Sequence, residues 1–146
     1  MSVLDNDEIR RQIRRAWEES APGTTGAHEE GGFVLKAADG SLTVERWPCG
    51  IQDRIELPSH VGGQRGGSII VATFHTHPNF GPDFLQEPSL TDIRAVRDDP
   101  NLSHAEYEGE YVVSSQLVFR IRRDGTVEVL GKIRVLLEIS NRSANS

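Results

Sequence analysis

Two histidines and an aspartate stand at a spacing that suits one divalent metal ion. His75 and His77 end an apolar run in the order His-Thr-His-Pro, and Asp92 ends Ser-Leu-Thr-Asp after a ten-residue spacer. Residues i and i+2 of a β-strand point to the same side, so both imidazoles would face one ion. Two imidazoles and one carboxylate, with a position left for water, are typical of a catalytic zinc site rather than a closed structural one.

Each of these residues also has an ordinary structural explanation. The histidine pair fits two surface residues at a strand end. Ser89 and Asp92 fit a capping box, in which Ser89 accepts a hydrogen bond from the Asp92 amide and the carboxylate reaches back. The two explanations of Asp92 are compatible, because a ligand carboxylate must itself be held by hydrogen bonds.

An acidic pair lies well upstream of the histidines. Glu29 and Glu30 directly precede the strand-like stretch Gly31-Gly32-Phe33-Val34-Leu35. Taken alone they are ordinary solvated acids, and only the pattern that they join gives them significance.

The predicted elements around these residues alternate in a way that favours an α/β fold. Asp5-Asn6-Asp7 offers N-caps for a helix that ends near Glu19, and Ser89 begins a second helix that ends near Asp98. Apolar and β-branched runs predict strands over 32–37, 41–47, 68–74, 111–115, 117–121 and 126–130. The apolar run over 68–74 is typical of a central strand buried on both faces.

Four further segments do not follow the patterns of these helices and strands. Asp39-Gly40 predicts a two-residue hairpin turn, and the glycine-rich stretch 61–67 predicts a flexible connection. Residues 133–139 are compatible with either a strand or a short helix. Residues 141–146 are expected to be frayed and disordered.

Composition predicts one soluble globular domain over residues 1–146. The net charge of −6 argues against a nucleic-acid-binding surface, and we expect no membrane partner. The sequence has no apolar run long enough for a signal peptide or a membrane span, so cytoplasmic residence is expected. The single cysteine, Cys49, excludes an internal disulfide and a cysteine-rich zinc site.

Taken in order, these motifs resemble the JAB/MPN zinc metalloprotease family, also called JAMM. Its signature is a glutamate before a glycine-containing strand, then His-Ser/Thr-His-Pro, then Ser-x-x-Asp. The resemblance covers about residues 5–131 and implies a prokaryotic-type single domain. The implied fold is a mixed central β-sheet flanked by two principal helices, MPN/JAB-like with a cytidine-deaminase-like architecture. The spacer before Ser89 is longer than usual, and Gly31 stands where a small residue or cysteine often follows the glutamate pair.

The resemblance implies a zinc-dependent hydrolase of peptide or isopeptide bonds. Zn²⁺ would be bound by His75, His77 and Asp92. Glu29 would be the general base, preferred to Glu30 for its distance to Gly32, and Ser89 would donate a hydrogen bond to the oxyanion. The expected substrate is the C-terminal tail of a ubiquitin-like protein or an extended peptide.

The insert over residues 79–88 holds two aromatic residues, a leucine and two prolines beside the expected metal. It would either clamp an extended substrate peptide or pack its own apolar side chains.

Three other functions remain open on the sequence. A non-catalytic MPN-like scaffold would usually lack a ligand, whereas here the full set is present. A non-haem iron oxygenase also uses two histidines and a carboxylate. In such an oxygenase the carboxylate usually lies close to the first histidine and the second histidine lies far downstream. That order fits poorly here, since His104 is the only histidine beyond Asp92. A structural module with incidental histidines is the third possibility.

Overall fold

A seven-stranded mixed β-sheet organises the part of the chain that the structure describes, residues 2–81 and 86–138 of a computed structural model. The strands are β1 (Gly31–Lys36), β2 (Leu42–Arg46), β3 (Gln64–Arg65), β4 (Ser68–Thr76), β5 (Glu110–Val113), β6 (Leu117–Ile121) and β7 (Val127–Lys132). The α-helices are α1 (Asp7–Glu19), α2 (Leu90–Arg97) and α3 (Ile133–Leu136). The predicted α/β class with a mixed central sheet is therefore confirmed.

The strand order places β4 in the middle of the sheet. The order is β2-β1-β4-β5-β6-β7, with the short β3 paired to β4. β4 and β5 are parallel, whereas the other pairs are antiparallel. The crossover between β4 and β5 contains α2, as a parallel connection requires.

Each face of the sheet has its own apolar core. The α1 face is the side on which α1 packs; its core includes Ile9, Ile13, Trp17, Val34, Phe74, Tyr111 and Leu137. The α2 face is the opposite side; its core includes Phe33, Trp47, Ile70, Val96, Val112 and Phe119. Burying each large apolar side chain contributes about 1.5–3 kcal/mol. The two principal helices therefore flank the sheet from opposite sides.

The first helix forms where its sequence predicts it. The Asn6 side chain accepts hydrogen bonds from the backbone N–H groups of Glu8 and Ile9, which satisfies two free donors of the first turn. Ile9, Ile13 and Ala16 recur at helical spacing and are fully buried. None of the helices in the described residues is long and apolar enough to cross a membrane.

Two predicted connections are wrong in detail. Lys36 pairs with Leu42, and the Ala37 N–H donates to the Ser41 carbonyl. This last hydrogen bond of the hairpin encloses three residues, 38–40, and not two. Gly40 takes a φ of +88° there, a conformation that favours glycine and accompanies a turn of this length. The stretch 61–67 is not simply a flexible connection, because it contains β3 hydrogen-bonded to β4.

The ambiguity over residues 133–139 resolves towards a helix. α3 covers Ile133–Leu136, and Ile133 and Leu137 are buried in the core of the α1 face. Residues 139–146, including the predicted disordered tail, lie outside the described residues.

Candidate metal centre

Three side chains bring potential metal donors together at the end of β4. The Nε2 atoms of His75 and His77 are 3.1 Å apart. His75 Nε2 lies 3.4 Å from Asp92 Oδ1, and His77 Nε2 lies 3.2 Å from Asp92 Oδ2. His75 and His77 are buried and Asp92 is half-buried. The structure thus brings together the three residues predicted as metal ligands.

The spacing of these atoms fits a zinc ion. Donors bound about 2.0–2.1 Å from a tetrahedral Zn²⁺ are separated by about 3.3–3.4 Å. The distances of 3.1, 3.2 and 3.4 Å match that separation closely. Both imidazole nitrogens and the Asp92 carboxylate, which turns one oxygen towards each ring, would therefore supply three protein ligands.

Hydrogen bonds at the Nδ1 atoms of His75 and His77 determine which ring nitrogens can bind an ion at the centre. His75 Nδ1 lies 3.1 Å from Glu110 Oε2, and His77 Nδ1 lies 3.2 Å from the Gln86 carbonyl oxygen. Both partners only accept hydrogen bonds, so each neutral ring carries its proton on Nδ1. Both Nε2 lone pairs then point towards each other and towards a carboxylate, an arrangement that a cation would stabilise.

The electrostatics of the centre also favour a cation. Burial alone would lower the pKa of the His75 imidazole, but the carboxylates of Glu110 and Asp92 raise it well above its usual range. Burial alone would raise the pKa of the Asp92 carboxyl, but its close contacts with the ring nitrogens of His75 and His77 hold it far below its usual range. The negative potential of the two carboxylates therefore attracts positive charge to the histidines.

The start of α2 holds Asp92 in place. The Asp92 N–H donates to Ser89 Oγ over 3.0 Å, and the Ser89 N–H donates to Asp92 Oδ2 over 2.8 Å. This is the predicted capping box. The same carboxylate faces both histidines, so capping and metal ligation by Asp92 are compatible, as expected. The oxyanion role of Ser89 stays a prediction.

The backbone on both sides fixes Glu29 at the centre. The Glu29 N–H donates to the Ile51 carbonyl, and the Gly50 N–H donates to the Glu29 carbonyl, each over 2.8 Å. One carboxylate oxygen of Glu29 lies within 4.8 Å of a ring nitrogen of each histidine. Burial raises the pKa of the Glu29 carboxyl to about 7, although His75 and His77 oppose the shift. A carboxyl with this pKa can both accept and release a proton near neutrality.

Glu30 faces a different set of partners. Its carboxylate contacts the Arg46 guanidinium and His28 Nε2, and Arg46 also pairs with Glu19 at the end of α1. The pKa of His28 is raised, first by its hydrogen bond to the Gly26 carbonyl and also by Glu30. Cys49, whose thiol is exposed, completes a second group of close donor atoms. In this group the Arg46 guanidinium already balances the charge of Glu30.

Thr76 and Gly31 hold the two glutamates in register. Thr76 Oγ1 accepts from the Glu30 N–H over 3.0 Å, and the Thr76 N–H donates to the Glu30 carbonyl over 2.9 Å. A Cβ on Gly31 would lie 2.5 Å from the Trp47 ring and 2.6 Å from the Phe74 carbonyl oxygen. Only glycine therefore allows β1 to pack this closely beside the centre.

The ends of the insert are described, whereas its middle is not. Asn79 Nδ2 donates to the Gln52 carbonyl over 2.6 Å, and Phe80 is about half exposed with its ring against Gly23. Residues 82–85 lie outside the described residues. The choice between substrate clamping and self-packing therefore stays a prediction.

Sequence reasoning missed two residues at this end of the sheet. Glu110 and Arg46 reach His75 and Glu30 only because β5 and β2 lie where they do in the sheet. The available signal for Glu110 was an acid at the start of the apolar run Tyr111-Val112-Val113. Charged residues are seldom buried in such a run unless they have a partner.

Comparisons with family models, with curated proteins and with solved structures return no match for this chain.

Proposed function

We propose that this protein is a zinc-dependent hydrolase of peptide or isopeptide bonds, of the JAB/MPN kind. One arrangement supports the proposal: the ring nitrogens of His75 and His77 and the carboxylate of Asp92 converge beside the buried carboxyl of Glu29. The donor types suit zinc, and three protein ligands leave a fourth position for water or substrate. The resemblance of the motifs supports the finer assignment.

Bound zinc would supply a Lewis acid that lowers the pKa of a bound water from 15.7 towards ~7. Glu29 accepts a proton from the attacking water and passes it to the departing amine as the C–N bond breaks. Its pKa of about 7 suits both steps, because the group must first gain and then release that proton. The hydroxyl of Ser89 donates a hydrogen bond to the scissile carbonyl oxygen as negative charge develops on it.

The hydroxyl of Ser89 has the capacity for this role while it caps α2. It accepts the Asp92 N–H through an oxygen lone pair, and its own proton remains available to a substrate oxygen. The proposed substrate is the C-terminal tail of a ubiquitin-like protein or an extended peptide, as the resemblance implies.

A buried glutamate near the histidines favours hydrolysis over oxygenase chemistry. An iron oxygenase uses two histidines and one carboxylate, which His75, His77 and Asp92 already supply. Glu29 is then an additional carboxyl, 6% exposed and close to both rings. A hydrolase has a use for that group as a proton carrier.

The test is a cleavage screen on C-terminally extended ubiquitin-like proteins and peptides, with metal content measured on the same samples. We expect about one equivalent of zinc, and a loss of about 10²–10⁴-fold in kcat/KM for Glu29→Gln with zinc retained. Glu30→Gln is the matched control, since it makes the same change one residue away and should retain most activity.

Equal cleavage by wild type and Glu29→Gln would show that the base is wrongly assigned. One equivalent of iron in place of zinc would favour the oxygenase, and a protein that takes up no metal would favour the scaffold or the structural module.

A further inference from the structure

Glu110 is a buried carboxylate directly behind the candidate metal centre. It is the first residue of β5, and it pairs in register with Thr73 of the parallel strand β4. Its residue surface is 3% exposed. From this position Oε2 reaches His75 Nδ1 at 3.1 Å, on the side of the ring away from the donor cluster. Within the described residues, His75 is the only ion-pair partner of this carboxylate.

The contact determines which tautomer His75 adopts. A carboxylate has no proton to donate, so a neutral His75 must carry its hydrogen on Nδ1 and keep a lone pair on Nε2. Nε2 is the atom that lies 3.1 Å from His77 Nε2 and 3.4 Å from Asp92 Oδ1. Glu110 thereby holds the ring in the one form that can bind a cation at the centre.

The two histidines differ in the charge of the group behind them. His77 Nδ1 faces a neutral backbone carbonyl, that of Gln86, at 3.2 Å. His75 faces a full negative charge in a buried setting, where electrostatic interactions are weakly screened. A carboxylate behind an imidazole also makes the opposite nitrogen a stronger donor.

We propose that Glu110 is a positioning residue of the metal centre, which orients His75 and strengthens its bond to the metal. The inference rests on the proposed function to the extent that it requires a metal at His75, His77 and Asp92. It adds a residue that does not itself contact metal or substrate and that lies outside the motifs of the sequence.

Two variants separate the charge of Glu110 from its hydrogen bond. Glu110→Gln keeps the shape and an accepting oxygen but removes the charge, and Glu110→Leu removes both. We expect the zinc Kd, measured by competition with a chromophoric chelator, to rise about 10-fold for Gln and up to about 100-fold for Leu. Glu106→Gln is the control; it removes an exposed carboxylate paired with Lys36 and should change the Kd by less than about twofold.

A second measurement distinguishes positioning from a merely structural role. Long-range ¹H–¹⁵N spectra of the zinc-loaded protein should show His75 protonated at Nδ1 in wild type, with that proton signal lost by exchange in Glu110→Leu. The unfolding free energy of the metal-free Leu variant is measured as well, because removing one partner of a buried pair is strongly destabilising, and the Kd values are compared on folded samples.

The outcomes separate this inference from the proposed function. If wild type binds zinc and both variants bind it within about twofold of wild type, the role of Glu110 is refuted while the metal centre stands. If zinc affinity falls only because the metal-free variants are unfolded, Glu110 is structural and the inference is overturned. If wild type binds no zinc, the proposed function itself fails.

Discussion

The two faces of the sheet neutralise their buried acids in opposite ways. Glu29 and Glu30 are adjacent and each is 6% exposed. Glu30 contacts His28 and the Arg46 guanidinium, which also pairs with Glu19 at the end of α1, so Arg46 balances its charge. Glu29 faces His75 and His77, where Asp92 and Glu110 add further negative charge and no arginine or lysine pairs with these acids among the described residues.

The contrast indicates what each cluster does. A buried acid that already has an arginine partner contributes to the fold, because its desolvation is offset within the protein. A cluster of carboxylates and imidazole lone pairs without an arginine or lysine partner would be stabilised by a bound cation. The α2 face is therefore where we expect a metal to bind, whereas the ion pairs near α1 hold the adjacent backbone in place.

The largest difference in activity between the two faces is expected when the N-cap residues of α1 and α2 are replaced. Ser89 caps α2 beside the centre, and Asn6 caps α1 on the other face. Ser89→Ala should lower kcat about 10²–10³-fold at saturating zinc, because it removes the proposed oxyanion donor. Asn6→Ala should leave kcat unchanged. Both variants should lose about 0.5–2 kcal/mol of unfolding free energy, measured by urea denaturation.

Equal activity of the two cap variants would limit Ser89 to its role as a helix cap. A kcat loss in Asn6→Ala as large as that in Ser89→Ala would show that the two faces are not functionally distinct.

A smaller effect is expected in the pH dependence of stability. The pKa of Glu29 is raised from 4.5 to about 7 in the folded state, so between these values the folded protein keeps a proton that the unfolded chain has released. Stability therefore falls as pH rises through this interval, by on the order of 3 kcal/mol in total. With a chelator present, Glu29→Gln should be more stable than wild type at pH 8 by on the order of 3 kcal/mol. At pH 4 the two proteins should have similar stability.

Glu30→Gln should change stability in the opposite direction at pH 8. It removes one of the two acidic partners of the half-buried Arg46 and leaves Glu19 as the other, and a hydrogen bond to a charged group is worth about 1.5–3 kcal/mol. Thermal unfolding of Glu29→Gln, Glu30→Gln and wild type at pH 4 and pH 8 tests both expectations. A Glu29→Gln variant that is less stable than wild type at pH 8 would contradict the contrast between the two acids.

The smallest expected effect is at Cys49. Cys49→Ser removes the exposed thiol of the second donor group, in which Arg46 already neutralises Glu30. Zinc content by elemental analysis should therefore remain at about one equivalent, with unchanged affinity. A drop to half of the bound zinc in a protein that holds two equivalents would reveal a metal site in the His28 group.

Local patterns made most of the elements predictable. α1, β1 and β4 follow from an N-cap, helical spacing and apolar runs that act over a few residues. The β1–β2 loop was mispredicted because a glycine with positive φ, such as Gly40, occurs in two-residue turns and also at the end of three-residue loops. The pair Asp39-Gly40 alone does not distinguish these two loop lengths. The helix α3 depends on burial of Ile133 and Leu137 in a core formed by distant parts of the chain.

The candidate site was predictable as far as its residues form motifs. His75, His77, Asp92 and Glu29 were selected by spacing and resemblance, and the structure brings them together. Glu110 was not predicted, because its contact with His75 requires β5 to lie parallel to β4. The pairing of Arg46 with Glu30 likewise depends on strand register and could not be read from spacing.

The most direct test of the central claim is anomalous diffraction at the zinc absorption edge from crystals of the zinc-loaded protein. We expect one peak about 2.0–2.2 Å from Nε2 of His75, Nε2 of His77 and an oxygen of Asp92, with Glu29 outside the coordination sphere. A zinc ion bound only by His28, Glu30 and Cys49, or histidines that remain metal-free at saturating zinc, would contradict it.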